Sequence, residues 1–442
     1  MSVLALVGMV FFFSFFEISS VGPSLPKVIA EHHSTTTAAA TAVSLGLWGY
    51  IIGSPLNSIV ADRLGRRAGL LTAIVLYGLG ALGTAASTSM LMFTIFRVVG
   101  GMGVGASIAV ISTYISELSP AARRGRSMAM ASLPAQFGSA VTPFIAVWLV
   151  PSYSWGWRVL LAIPVVATLI FLFGYRLLPE SPRWLVATGR YDAADRAVEK
   201  AEKRASREVG ALPEIVPTKP DTPMGDWRSQ ILLLVRRPNL RWTLTFLLVW
   251  ACQTMPAYGI GGLGITLLTQ HGLSLTHSIQ LTFGQSAGLL LGGLAALRVG
   301  DRWPRKWVAA IIALLPATGL LALGLYPSNW MILIGFGLVS FQTGLASAVV
   351  YLLTAEHFPT HIRSTGVALS NGAGHIGGAI APLLAVAVYA AWDFAAVWIT
   401  FGMIFVVYAL AISTTRLTTG RTLDDLRDGE PPTVAESHPQ EA

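Results

Sequence analysis

The stretch Asp62-Arg63-Leu64-Gly65-Arg66-Arg67 returns 239 residues later as Asp301-Arg302-Trp303-Pro304-Arg305-Lys306. Each copy lies between two apolar runs long enough to cross a bilayer, for which about 20 mostly apolar residues suffice. A second set of residues repeats at the same shift: Glu117, Pro120 and Arg124 recur as Glu356, Pro359 and Arg363. Charged residues and prolines matching at a single offset are not expected by chance. The chain therefore reads as two related halves, each built around the same charged loops.

Working outward, breaks at charged and turn-rich segments give spans at 3–24, 38–60, 69–88, 90–116, 127–150 and 158–178. After a polar stretch come spans at 241–268, 276–298, 307–326, 329–354, 365–390 and 394–414. Composition agrees. The chain of 442 residues is 53% hydrophobic and 12% charged, with mean hydropathy +0.63. Soluble domains carry about 25% charged residues, so water-soluble architectures are excluded. The expected fold is an all-α polytopic membrane protein of twelve transmembrane helices. Residues 1–178 form an N-terminal six-helix half and 241–415 a C-terminal one. Residues 179–240 form a central loop and 416–442 a polar tail. The first span lacks a basic leader and a cleavage site and contains Glu17, so it reads as a span and not a signal peptide. It starts almost at Met1, and a few further residues are expected upstream.

Arginine placement sets the expected orientation. Arg63, Arg66 and Arg67 follow span 2, Arg123, Arg124 and Arg126 follow span 4, and Arg302, Arg305 and Lys306 follow span 8. The alternate connections carry almost no cations, Lys27 and Arg158 excepted, so both termini are expected in the cytoplasm and the protein in the cell membrane. The net charge of +8 is explained by these loops, and no nucleic-acid motif competes. One cysteine, Cys252, excludes a disulfide framework and reads as a buried filler. In the central loop, Ser181-Pro182 is a helix start with serine at N-cap and proline at N1. Tyr191 to Glu208 reads as a solvated helix.

Several motifs together resemble the major facilitator superfamily. They are Gly53 through Asp62-Arg63-Leu64-Gly65-Arg66-Arg67, Arg97-Val98-Val99-Gly100-Gly101-Met102-Gly103, Tyr114 to Gly125, and Pro179-Glu180-Ser181-Pro182-Arg183-Trp184. The last two are similar to the sugar-porter branch and its relatives, which include aromatic-acid and niacin symporters. The resemblance implies alternating access, a proton coupled through an acid of span 1 opposite an arginine of span 4, and closure through the charged loops. Against the sugar-porter pattern, serines 132 and 139 stand where glutamines are usual in span 5. The glutamine pair of span 7 is reduced to Gln253.

The residues themselves give a site. Helix rise of 1.5 Å per residue puts Glu17 and Arg97 at similar depth, and intramembrane charges mark pathways or pairs. Glu17 and Arg97 are therefore the expected proton-coupling pair. In parallel-repeat carriers the substrate sits near the midplane between the halves. Gln136 and His375 share the 239 offset, as do Ser132 and Asn371. Gln253, Tyr258, Gln285 and Gln342 complete the polar candidates, with Trp48, Trp250 and Tyr258 as ring partners. A gate at the inner face is expected from Asp62, Arg63, Arg66, Arg67, Glu117, Arg124, Asp301, Arg302, Glu356 and Arg363. Glu117 is expected to reach Arg124, and Glu356 to reach Arg363.

The expected activity is proton-coupled symport of a small organic metabolite, a carboxylic or aromatic acid or a sugar-like molecule. The alternative is a proton-coupled exporter of drugs or secondary metabolites. It is disfavoured because Gly138-Ser139-Ala140-Val141-Thr142-Pro143 lacks the Gly-Pro pattern usual in exporters. A sensor on a carrier fold would need an extended signalling domain. No nucleotide, metal or nucleophile constellation appears, so neither an enzyme nor a cofactor is expected. The expected partners are the substrate, protons and the lipid bilayer, with no nucleic acid, and the chain is expected to be monomeric.

Overall fold

The computed structural model describes residues 3–119, 124–175, 178–209, 227–299, 303–359 and 362–418. Seventeen helices occur in these residues. The N-terminal half holds α1 (Val3–Glu31), α2 (Thr36–Leu64), α3 (Arg66–Ala85), α4 (Met90–Leu118), α5 (Arg124–Ser152), α6 (Gly156–Ala162) and α7 (Val165–Gly174). The central segment holds α8 (Pro182–Ala187), α9 (Tyr191–Val209) and α10 (Trp227–Val235). The C-terminal half holds α11 (Asn239–Gln270), α12 (Leu275–Leu281), α13 (Phe283–Val299), α14 (Arg305–Leu325), α15 (Asn329–His357), α16 (Arg363–Ala391) and α17 (Phe394–Ser413).

Twelve segments of the described residues are long and apolar enough to cross a membrane, with α6–α7 and α12–α13 each forming one. The sixth span breaks at Pro164, the N-cap of α7, because proline supplies no N–H to the helix ladder. The first span runs to Glu31, past the expected end at 24, with Pro23 and Pro26 inside it. Neighbouring helices can re-satisfy backbone groups that such prolines free.

The repeat of the sequence is a repeat of geometry. A Cβ on Gly49 would lie 2.4 Å from the Val98 carbonyl oxygen, and one on Gly288 2.0 Å from that of Gly337. Gly53 would meet Met102 O at 2.2 Å, and Gly292 would meet Phe341 O at 2.2 Å. All four contacts match at the 239 offset, so α2 on α4 and α13 on α15 pack backbone to backbone in one register. Small residues that admit such approach are the usual means of helix association in lipid. The helix starts repeat too. Thr35 Oγ1 accepts from the Ala38 N–H and Ser274 Oγ from His277 N–H. Ser89 Oγ likewise accepts from Met92 N–H, and Ser328 Oγ from Met331 N–H.

The central segment starts as its sequence directs. Ser181 caps α8 by accepting from the Trp184 N–H, with Pro182 in the first turn. Trp184 Nε1 then donates to the Asp62 carbonyl at 2.7 Å, and Tyr114 Oη donates to Pro179 O at 2.6 Å. These bonds fasten α8 to the N-terminal half. On the other side Thr365 Oγ1 donates to Gln230 Oε1, which ties α10 to the C-terminal half.

Candidate functional site

A cavity of about 310 Å³ lies between the halves, walled by α1, α2, α4 and α5 on one side and by α11, α13 and α15 on the other. Its size is within the range of small-molecule sites, about 300–1,000 Å³. Glu17 and Arg97 stand in its wall as a buried ion pair from α1 and α4, joined through Arg97 Nη1 and Glu17 Oε1. Two glycines make room for the pair. A Cβ on Gly100 would sit 3.3 Å from Glu17 Oε1, and one on Gly46 3.5 Å from Arg97 Nη2. The second carboxylate oxygen, Glu17 Oε2, and Arg97 Nε find no partner.

The expected polar residues divide. Gln136, Gln253, Tyr258 and Gln285 line the cavity, and Gln253 Oε1 is buried without a partner. Gln136 also closes on the other half, its Oε1 lying 2.3 Å from where a Gly293 Cβ would be. His375 and Asn371 are not among the wall residues. The His375 ring instead stacks on Tyr50 of the opposite half, with centroids 4.4 Å apart and planes 8° from parallel. Its Nδ1 donates to the Asn371 carbonyl at 3.0 Å. Tyr50 does line the cavity, so His375 acts on the wall through that ring. Of the ring partners, Tyr258 is placed as expected. Trp48 is exposed and Trp250 is buried off the wall, where its Nε1 donates to Thr354 Oγ1 at 3.1 Å. Gln342 is fully buried, also off the wall. Phe15, Tyr50, Thr254 and Ser286 also line the cavity, and no pattern in the sequence singles them out. Ser139, a departure from the sugar pattern, is a wall residue as well.

At the arginine-bearing end the carboxylates pair with arginines of neighbouring spans. Arg66 holds Glu117 through Nε (3.1 and 3.2 Å) and Nη2 (2.8 Å), and also pairs with Asp62. The same arrangement recurs 239 residues on, where Arg305 pairs with Glu356. Each glutamate thus pairs with an arginine at the start of the adjacent span. Arg363 Nε donates to Phe358 O at 3.3 Å. The guanidinium of Arg67 lies over the Tyr175 ring, and Arg63 is exposed beside Asp62. Arg124 is described only as the backbone start of α5, and Asp301 and Arg302 lie outside the described residues. Glu180 ties the turn between α2 and α3, accepting from the Arg66 N–H at 2.8 Å. Gly65 is required there: its φ is +107°, and a Cβ would lie 2.5 Å from Glu180 Oε2.

Each of these ion pairs lies within one half. Several described contacts cross between the halves. Ser44 Oγ donates to Ala379 O at 2.6 Å, and Gln270 Nε2 donates to Thr36 Oγ1. Phe144 stacks on Phe283 at 4.3 Å. A Cβ on Gly22 would lie 2.2 Å from Gly261 O. Arg158, an exceptional cation of the alternate connections, is held by Glu31 and by the carbonyls of Ala85 and Ser87. It is a structural tie and does not disturb the charge asymmetry of the loops.

Two repeated six-span halves around a wall-lined cavity define a transporter of the major facilitator type. Residues 1–426 match the family described as "Sugar (and other) transporter", and the chain belongs to that family. Among its relatives is YyaJ of Bacillus subtilis (strain 168), 27% identical over 382 residues that cover 86% of this chain and 84% of that one. The niacin transporter NiaP of Acinetobacter baylyi (strain ATCC 33305 / BD413 / ADP1) is 24% identical over 430 residues, 96% of each. In fold the chain matches the partially occluded inward open conformation of the xylose transporter XylE from E. coli. That match has a TM-score of 0.71 at 22% identity, over 95% of this chain and 98% of that one. The protein is a multi-pass membrane transporter and not an enzyme.

Proposed function

We propose that the chain is a secondary active transporter that moves a small organic metabolite together with protons by alternating access. The observation that carries this reading is the Glu17–Arg97 pair, buried in the wall of the cavity between the halves. Among the described residues Glu17 is the one carboxylic acid on the wall, the kind of group that takes up and releases a proton when its environment changes. Burial penalises its charged form and the guanidinium favours it, so hydration of the cavity or arrival of a substrate tips the balance. The glutamines 136, 253 and 285 supply hydrogen bonds for the substrate, and Tyr258 and the Tyr50–His375 stack shape its walls.

In this reading the arginine-bearing end faces the cytoplasm, as do both termini, and the protein acts as a monomer in the cell membrane. The N-terminal half is 1–178, the central loop 179–240, the C-terminal half 241–415 and the tail 416–442. The Asp62–Arg66–Glu117 and Arg305–Glu356 clusters are gate elements. They brace each half while the cavity is open at their end, and close against one another when it opens at the other.

The experiment is uptake by the purified chain in proteoliposomes under an imposed pH gradient, alkaline inside, with competitors of three kinds: xylose and glucose, nicotinate and benzoate, and cationic drugs. Accumulation above the external concentration, abolished by a protonophore, is the expected result. Equilibration without accumulation under the gradient contradicts proton coupling.

A further inference from the structure

The wall of the cavity has a charge balance that constrains its substrate. Among the described residues, its charged side chains are Glu17 and Arg97, and they neutralise each other. Their side chains are 3% and 9% exposed, so neither charge is offset by water. The charged and titratable groups facing Glu17 are Arg97 of α4 and Tyr77 of α3. The remaining described carboxylates within the spans are engaged elsewhere: Glu31 with Arg158 and Trp157, Asp62 and Glu117 with Arg66, Glu356 with Arg305.

When Glu17 takes a proton, Arg97 is left as a buried guanidinium with no carboxylate to pair with. Breaking a buried pair by neutralising one member is strongly unfavourable, because the other charge stays in a poorly solvated site. An uncharged substrate leaves that imbalance in place through the occluded state. A substrate bearing one carboxylate removes it. Arg97 offers a planar fork suited to bidentate binding, and its Nε has no acceptor. That nitrogen lies 3.6 Å from the position of a Gly46 Cβ, and Gly46 is itself a wall residue. The same wall carries apolar side chains, among them Phe15, Ile18, Val43, Leu47 and Leu289.

We infer that Arg97 is a shared cation, bound by Glu17 in the empty carrier and by the carboxylate of a small, largely apolar monocarboxylic acid in the loaded one. Glu17 is then protonated, and its freed hydroxyl can donate to the incoming carboxylate. One proton and one monoanion cross together, and the net charge moved is zero. The inference rests on the proton-coupled function proposed for the same pair and adds to it the charge class of the substrate.

The probes are benzoate and its uncharged isostere benzamide, with the full chain. Binding is measured by calorimetry at pH 8, in two buffers of different ionisation enthalpy, for the wild type and Glu17→Gln. Benzoate is expected to bind the wild type with uptake of one proton, and to bind Glu17→Gln at least about tenfold tighter and without proton uptake, since the competing carboxylate is gone. That factor is at the low end of a charge-assisted hydrogen bond. Benzamide is expected to gain nothing from the substitution. Benzoate binding that is absent, or that is equal in the two proteins, overturns the inference. If Glu17→Gln does not fold, the wild-type proton count decides alone: uptake of one proton with benzoate supports the inference, and no uptake overturns it. Uptake of benzoate under a pH gradient, with the membrane potential set by potassium and valinomycin, separates the two levels. Accumulation above that of vesicles without the protein, and insensitive to the potential, supports both. Tighter benzoate binding to Glu17→Gln without any wild-type accumulation removes the coupling and leaves the shared cation standing. Accumulation accelerated by a negative interior contradicts the shared cation and leaves the coupling standing.

Discussion

Substituting Gly288 by alanine tests the register of the C-terminal half. The added Cβ would sit 2.0 Å from the Gly337 carbonyl oxygen, and that obstacle is backbone, which no rotamer change can move. Ordinary carbon contacts begin near 3.5 Å, so α13 and α15 must part by about 1.5 Å at this point. The contacts of Gly284 with Leu333 O (2.1 Å) and Gly292 with Phe341 O (2.2 Å) lie on the same seam and open with it. Overpacking of this kind costs about 1–3 kcal/mol, and the rigid obstacle places Gly288→Ala at the upper end. With an unfolding entropy of about 2.1 cal/mol/K per residue over 442 residues, each kcal/mol is worth about 1 °C, and the expected fall in Tm is about 3 °C. Gly372→Ala is the control: Gly372 is helical, and a Cβ there meets nothing within 4 Å. Alanine at that position is expected to stabilise by about 0.5–1 kcal/mol through helix propensity. The assay is thermal unfolding of the purified variants in one detergent. If Gly288→Ala melts at or above the wild-type temperature, α13 and α15 do not meet at this register. Gly49→Ala, whose Cβ would lie 2.4 Å from Val98 O, should behave as Gly288→Ala does.

Three further outcomes are expected. Arg66→Ala and Arg305→Ala should each slow transport by about tenfold or more, equivalent to about 1.4 kcal/mol of barrier, with equilibrium binding of substrate nearly intact; proportional loss of binding would remove the gate assignment. His375→Ala should weaken substrate binding by about two- to twelvefold, the worth of one aromatic stack of about 0.5–1.5 kcal/mol, and the effect should vanish in a Tyr50→Ala background, as a double-mutant cycle would show. Ending the chain after Thr415 should lower Tm, since it removes the Arg416 N–H from His357 Nε2 (2.9 Å) and the Thr418 hydroxyl from Glu356; an unchanged Tm would mean that the tail does not dock there.

How far the sequence carries the structure can be seen residue by residue. Twelve spans follow from runs of apolar residues, and the 239 offset that relates Arg66 to Arg305 also relates their ion pairs with Glu117 and Glu356. The same offset runs through the Thr35, Ser274, Ser89 and Ser328 caps and the Gly49 and Gly288 contacts, whose meaning emerges only once the helices are packed. The pairing of Glu117 with Arg66 is not legible. Glu117 is expected to reach Arg124 because sequence shows neighbours along one chain, whereas the start of α3 is adjacent to the end of α4 only in three dimensions. His375 shows the same limit in another way. Its depth is readable from helix rise, but each residue turns the helix by about 100°, and that rotation aims its ring at Tyr50 and away from the cavity wall. Glu17 and Arg97 stand out because two unrepeated charges at one depth in lipid have few ways to exist except together.

The most direct test of proton coupling through Glu17 is counterflow and pH-driven uptake measured side by side in proteoliposomes containing Glu17→Gln. The glutamine stands in for the permanently protonated acid. Exchange of substrate across the membrane is expected to persist, while accumulation driven by an alkaline interior is expected to fall to the level of empty vesicles. Accumulation at the wild-type level by Glu17→Gln would contradict this mechanism, because the proton would then enter by a route that Glu17 does not control.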